Sequence, residues 1–138
     1  MDAPISREIA GRLASTAAGI DGVRAATVCS AEGAVLGNAG TDDPAREAAL
    51  ASFVALRAEA LPVDGDLRGM GRQLAGSSFS YLNIASDRGE TLLFNLNRGA
   101  YLSVQVAPGR SAAAAPPLAS LVRRVTAMSD SSMRSSQP

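Results

Sequence analysis

The segment Gly22–Gly37, GVRAATVCSAEGAVLG, contains two short strand-like runs joined by a tight turn. Val23 to Cys29 is rich in side chains that favour a strand. Ala31-Glu32-Gly33 provides the turn, because glycine adopts the positive φ that a tight hairpin requires. Val35 and Leu36 then resume the extended pattern. We therefore predict a β-hairpin here.

The residues before the hairpin show a helical pattern. Apolar side chains recur every four residues at Ile5, Ile9, Leu13 and Ala17. This spacing predicts an amphipathic helix over about residues 4–18, which ends near a glycine.

A second helix is predicted after the hairpin, from about residue 44 to 61. Asp43-Pro44 places an N-cap residue directly before a first-turn proline, and Pro62 ends the pattern. Residues 62–76 hold four glycines without sustained periodicity, so we predict a long loop there.

Three more strand-like runs follow this loop, over residues 78–86, 91–96 and 101–106. In each run apolar side chains alternate, and short polar turns containing glycine separate the runs. The sequence therefore predicts an α/β (α+β) sandwich, in which a five-stranded antiparallel sheet lies between helices in the order α-β-β-α-β-β-β-α.

A last helix is predicted over about residues 117–128. Pro116-Pro117 disfavours helix before it and suits the first turn of a helix. Residues 129–138 are rich in serine and lack apolar periodicity, so we predict a disordered tail there. The chain then consists of one domain, residues 1–128, and this tail.

Composition argues against catalysis. The 138-residue chain has 13 cationic residues, all of them arginine, and no histidine. Histidine-based nucleophile pairs, histidine-ligated metals and Schiff-base lysines are therefore excluded, and we expect no catalytic residue, metal or cofactor. Cys29 is predicted to be a buried strand residue. Zero net charge and the lack of a long apolar run predict a cytoplasmic protein that binds neither nucleic acid nor membrane.

The second predicted helix carries more apolar surface than one contact with a sheet requires. The stripe that suits the sheet contains Ala45, Ala49, Phe53, Leu56 and Ala60. A second stripe about a quarter-turn away contains Leu50, Val54 and Leu61, flanked by Arg46 and Arg57. Either the loop over residues 62–76 covers this second stripe, or the stripe is an interface.

The element order, the entry Ile20-Asp21-Gly22-Val23 into the hairpin and the turn residues Glu32-Gly33 together resemble the Roadblock family. This family contains regulators and dimerising partners of small GTPases and the light chains of dynein. The likeness spans about residues 5–128. It implies a non-catalytic homodimer that regulates a small Ras-like GTPase in bacterial signalling or polarity, as a GTPase-activating cofactor or a scaffold.

The same resemblance implies two contact regions. The family pairs its third strand with a second copy at the edge of the sheet, which here implies a dimer interface at Phe79, Tyr81, Leu82, Asn83 and Ile84. The family also pairs its second helices, which together form the platform for the GTPase. This expectation matches the second stripe, so the implied partner-binding residues are Arg46, Leu50, Val54, Arg57 and Leu61.

Other functions remain open from the residues alone. A small-ligand sensor of the profilin-like or PAS-like type would need a pocket between sheet and helix. A plain dimerisation adaptor would need only the edge strand. Arg68 and Arg72 in the predicted loop could reach a GTPase as arginine fingers, although a flexible connection explains the glycines there better.

Overall fold

A five-stranded antiparallel sheet lies at the centre of the protein, in a computed structural model that describes residues 5–60, 81–86, 89–97 and 99–135. The elements in chain order are α1 (Arg7–Ala18), β1 (Val23–Ser30), β2 (Val35–Ala39), α2 (Pro44–Ala60), β3 (Tyr81–Ser86), β4 (Gly89–Asn97), β5 (Ala100–Val106) and α3 (Ser111–Ser135). The strands lie in the order β2-β1-β5-β4-β3. The fold class and element order predicted from the sequence are confirmed.

The hairpin between β1 and β2 closes at the glycine that the sequence indicates. Gly33 has a φ of +90°, and its amide donates to the carbonyl of Ser30 at 3.0 Å. The hydroxyl of Ser30 accepts from the amides of Glu32 at 3.3 Å and Ala34 at 3.1 Å. The turn therefore satisfies its own backbone donors, which fixes the start of β2.

Different helices cover the two faces of the sheet. The larger cluster of buried side chains lies between the sheet and helices α1 and α3, and includes Leu13, Val28, Leu102 and Leu118. The smaller cluster lies under α2 and contains Cys29, Ala48, Ala51, Ala55, Leu93 and Tyr101. The layer under α2 is therefore built mostly from small side chains.

The last helix begins at Ser111, so the predicted start at about residue 117 is wrong. Pro116 and Pro117 lie inside α3 and cannot donate to the carbonyls of Ala112 and Ala113. Both alanines are exposed, so water can satisfy these carbonyls. Burial of Ala114 and Leu118 in the larger cluster offsets the cost of the prolines.

Two of the predicted regions lie wholly or partly outside the described residues. The loop over residues 62–76 lies outside the described residues. The bounds of α3 extend to Ser135, so residues 129–135, predicted to be a disordered tail, have helical backbone. Residues 136–138 lie outside the described chain, and the division into one domain and a tail stays a prediction.

Helix α1 lies so close to β2 that their backbones touch. A Cβ added at Gly37 would stand 2.8 Å from the carbonyl carbon of Ala10 and 2.8 Å from the amide nitrogen of Gly11. No side chain fits between these backbones, so Gly37 is required for the contact. A Cβ added at Gly11 itself meets no atom within 4 Å.

These two glycines give a matched test of the contact. We expect Gly37→Ala to lower the free energy of unfolding by about 1–3 kcal/mol, because α1 must move away from the sheet. We expect Gly11→Ala to raise it by about 0.5–1 kcal/mol, because alanine favours a helix interior. Urea denaturation of both variants measures this, and equal effects of the two substitutions would contradict the close approach.

Candidate functional site

Helix α2 rests on the sheet through alanines. Ala48, Ala51 and Ala55 are buried, at a spacing of three and four residues along the helix. The large apolar residues lie elsewhere, and the exposed fraction is 48% for Leu50, 56% for Phe53 and 67% for Leu56. The prediction that Ala45, Ala49, Phe53, Leu56 and Ala60 face the sheet is therefore wrong for Ala45, Ala49, Phe53 and Leu56, which are exposed.

Side-chain size explains this correction. A helix face of alanines lets the helix backbone approach the sheet closely, whereas leucine and phenylalanine would hold it away. The spacing of Ala48, Ala51 and Ala55 is as helical as that of the larger residues. A hydrophobic pattern that weights alanine equally with leucine and phenylalanine identifies Ala48, Ala51 and Ala55 as the buried face of α2.

A ridge of four exposed side chains runs along α2. It consists of Arg46, Leu50, Phe53 and Arg57, at successive spacings of four, three and four residues. Such spacings align side chains on one helix face. We call these four residues the α2 ridge. Its centre is apolar and both of its ends are cationic.

The two arginines of the α2 ridge are both exposed. The Arg57 guanidinium carbon Cζ lies 5.0 Å from the centroid of the Phe53 ring, in a cation–π contact. The backbone amide of Arg46 donates to Oδ1 of Asp43 at 3.2 Å, which confirms the predicted N-cap. In the described part of the chain, neither guanidinium forms an ion pair with a carboxylate.

A cavity of about 630 Å³ lies beside α2, over the β4 side of the sheet. Arg46, Leu50 and Val54 form its helical wall. The floor of the cavity includes Thr91, Leu93, Ser103 and Gln105 from β4 and β5. The pairing of β1 with β5 is irregular between Val23 and Ala25, and Arg24 at this point also lines the cavity. Of the predicted partner-binding residues, Arg46, Leu50 and Val54 thus come together, Arg57 lies further along the ridge, and Leu61 is outside the described residues.

Strand β3 forms an edge of the sheet, as the resemblance implies. Leu82 and Ile84 pack partly against the smaller cluster, whereas Tyr81 stacks on Phe94 of β4 with ring centroids 5.3 Å apart. Asn83 is on the same face as Tyr81, and its Nδ2 donates to Oγ of Ser111 at 3.5 Å. Phe79, also predicted at the dimer interface, lies outside the described residues.

Cys29 is buried in the smaller cluster. Burial raises the pKa of its thiol to about 11, so the thiol stays protonated near neutral pH. A protonated, buried thiol is a poor nucleophile.

No helix in the described ranges is long and apolar enough to span a membrane.

Exposure of Phe53 can be tested against a buried phenylalanine. We expect Phe53→Ala to change the free energy of unfolding by about 1 kcal/mol or less, because it removes one exposed ring and its cation–π contact. We expect Phe94→Ala to cost about 3–5 kcal/mol, because Phe94 is 3% exposed in the larger cluster. Chemical denaturation measures both, and a similar large loss for both would mean that Phe53 is a core residue.

The fold of this chain is similar to that of several solved structures. No family model and no curated protein match the sequence. Among solved structures, the Roadblock/LC7 domain from Streptomyces avermitilis has 19% sequence identity and a TM-score of 0.68, covering 89% of this chain and 95% of that one. The gliding protein MglB from Thermus thermophilus has 20% identity and a TM-score of 0.60, covering 93% of this chain and 96% of that one.

A third solved structure, described as MglB with tetrameric arrangement, has 16% identity and a TM-score of 0.63 and covers 94% of this chain and 96% of that one. At these identities the likeness concerns the fold. It agrees with the strand order and with helices on both faces of the sheet. The resemblance found in the sequence is therefore confirmed at the level of structure, and this chain has the Roadblock/LC7 fold.

Proposed function

We propose that this protein is a non-catalytic, homodimeric partner of a small Ras-like GTPase in the bacterial cytoplasm. The observation that carries the proposal is the outer face of α2, where Leu50, Phe53 and Leu56 are about half exposed or more. Large apolar side chains grouped on one helix face are typical of protein interfaces. The fold adds support, because it is similar to the folds of two solved structures named MglB, one of which is described as a gliding protein.

The proposed GTPase contact uses the residues predicted from the sequence, together with one more that the structure adds. Arg46, Leu50 and Arg57 are exposed on α2, and Val54 is partly buried on its cavity side. Phe53, first assigned to the core, joins this surface because it lies between Leu50 and Arg57 on the α2 ridge. Aromatic and arginine side chains of this kind contribute most of the binding energy in many interfaces.

The proposed homodimer uses the edge of the sheet that β3 forms. An edge strand presents N–H and C=O groups that a second copy can pair with, and Tyr81–Ser86 contains neither proline nor lysine to prevent this. Leu82 and Ile84 pack partly against the smaller cluster, and Ile84 also lines the cavity beside α2. A second copy at this edge would therefore extend both the sheet and the apolar layer.

Ligand sensing is a second candidate function, and the cavity beside α2 is the observation that favours it. Its volume of about 630 Å³ falls within the range of small-molecule sites, and its lining combines apolar and polar side chains. Under this function the protein would bind a small molecule with Leu93, Ser103 and Gln105 instead of a GTPase with the α2 ridge.

Proline substitutions in β3 test the dimer. Adjacent residues of a strand direct their N–H groups to opposite sides, so one of Leu82 and Asn83 donates away from β4. We expect one of the variants Leu82→Pro and Asn83→Pro to be a folded monomer, and the other to lose ladder hydrogen bonds to β4 and be destabilised. Sedimentation at micromolar concentration measures the change. A wild-type protein that sediments only as a 14.0 kDa species would contradict the homodimer.

A charge placed on the α2 ridge tests the GTPase contact. We expect Leu50→Asp to weaken binding about tenfold or more while the protein stays folded, because it puts a desolvated carboxylate at the centre of the interface. Ala113→Asp, on the exposed surface of α3, is the matched control and should bind normally.

The measurement uses small Ras-like GTPases of the source organism, loaded with GDP or with a GTP analogue. Tighter binding to one nucleotide state would indicate a regulator, and equal binding a scaffold, because a partner shifts an equilibrium only by its differential affinity. Folded Leu50→Asp protein with wild-type affinity would contradict the platform. A small molecule that stabilises the wild type but not a Ser103→Leu variant would favour ligand sensing.

A further inference from the structure

Charge is distributed unevenly over the protein. In the described part of the chain, α1, α3 and the loops at residues 19–22 and 107–110 carry six arginines and three acids, which is a net charge of +3. The rest of the described part carries three arginines and six acids, which is a net charge of −3. The side of the sheet that carries α1 and α3, here called the α1/α3 side, is therefore positive although the formal net charge of the whole chain is zero.

Three arginines of the α1/α3 side lie at the same end of the two helices. Nη2 of Arg110 lies 3.6 Å from Oδ2 of Asp21, so α3 begins near the point where α1 ends. The two helices contact each other and are therefore antiparallel. Twelve residues span about 18 Å of helix, which places Arg123 and Arg124 level with Arg7 at the start of α1. We call Arg7, Arg123 and Arg124 the arginine cluster.

The positive charge of the arginine cluster is not neutralised by nearby acids. All three arginines are exposed, and in the described part of the chain none of them forms an ion pair with a carboxylate. Two acids of the α1/α3 side pair with other arginines, since Glu8 lies 3.3 Å from Arg12 and Asp21 pairs with Arg110. Grouped like charges repel each other, and an anionic partner relieves this repulsion.

The outer surfaces of α1 and α3 lack the apolar centre of a protein interface. The large apolar side chains that are exposed in the described residues belong to α2 and β3, and are Leu50, Phe53, Leu56 and Tyr81. The exposed residues of α1 and α3, as far as residue 127, are arginine, glutamate, serine, threonine, alanine and proline. A protein partner would need an apolar centre, whereas the headgroup layer of an anionic membrane attracts arginine by charge alone.

The proposed homodimer doubles the number of clustered arginines. If two β3 edges pair antiparallel in one continuous sheet, the two-fold axis is perpendicular to the sheet, so both copies turn α1 and α3 to the same side. Six clustered arginines then face one plane, and the α2 helix of each copy lies on the opposite side of the sheet. Each arginine near an anionic membrane surface contributes about fivefold in affinity, so three bind weakly and six bind strongly.

From these observations we propose that the α1/α3 side binds the anionic lipid surface of the cytoplasmic leaflet through the arginine cluster, without insertion into the bilayer. The proposal rests on the proposed homodimer for the doubled cluster. It leaves α2, the proposed GTPase contact, directed away from the lipid. Zero net charge describes the whole chain, whereas a lipid surface meets only one side of it.

Sedimentation of the full chain with lipid vesicles tests the inference. The vesicles consist of phosphatidylcholine, with or without about 30% phosphatidylglycerol. We expect wild type at about 100 mM NaCl to bind the phosphatidylglycerol vesicles at least tenfold more tightly than the others, and to dissociate at about 500 mM NaCl, because salt screens the attraction.

Three double variants locate the contact. We expect Arg123→Ser/Arg124→Ser to bind the phosphatidylglycerol vesicles at least tenfold more weakly than wild type, because it removes four arginines from the dimer. Arg123→Lys/Arg124→Lys keeps the charge and should bind as wild type does. Ala34→Asp/Asn38→Asp, at two exposed residues of the β1–β2 hairpin, is the matched control, because it lowers the net charge by the same amount and should keep binding.

Several results would overturn the inference. Wild type that does not bind the phosphatidylglycerol vesicles at about 100 mM NaCl would do so, and so would an equal loss of binding in the serine and hairpin variants. Binding to a double-stranded DNA fragment without binding to vesicles would assign the arginine cluster to nucleic acid instead. If wild type binds the GTPase but no vesicle, the inference fails alone, and if it binds vesicles but no GTPase, the proposed function fails alone.

Discussion

The close approach of an alanine face to the sheet determines what α2 can do. Ala48, Ala51 and Ala55 are the buried residues of this contact, and Val54 packs partly against it, so no leucine or phenylalanine of the helix lies there. The leucines and the phenylalanine of α2 are consequently left on its other faces, where their exposure costs solvation free energy. A helix that buries small residues and exposes large ones gains little stability from this arrangement, which is why the proposed contact is placed on the exposed residues.

The same constraint makes the two sides of the sheet unequal. The side facing α1 and α3 is a cluster with many leucines and valines, whereas the side facing α2 includes polar residues such as Thr27 and Ser103. Thr27 Oγ1 lies 3.0 Å from Thr41 Oγ1, so its hydroxyl is satisfied although it is buried. Stability therefore comes mainly from the side of the sheet that faces α1 and α3.

The sequence predicts the fold well because strand alternation, glycine turns and caps act locally. Gly33 closes the hairpin and Asp43 caps α2 as expected. The errors arise where tertiary packing decides. Burial of Ala114 extends α3 through two prolines, and the alanine face of α2 reverses the assignment of Phe53. Hydrophobic periodicity weights large residues, so it identifies an amphipathic helix but does not show which of its apolar faces is buried.

The edge of β3 and the α2 ridge offer different chemistry to different occupants. An edge strand binds through backbone groups, which every copy of the chain possesses, so it suits self-association. The α2 ridge instead presents side chains, with an apolar centre and an arginine at each end. Since α2 packs over β1, β5 and β2, the ridge is displaced from β3. The proposed homodimer and the proposed GTPase contact therefore rest on different chemical groups of the same protomer, backbone groups at the sheet edge and side chains on the helix.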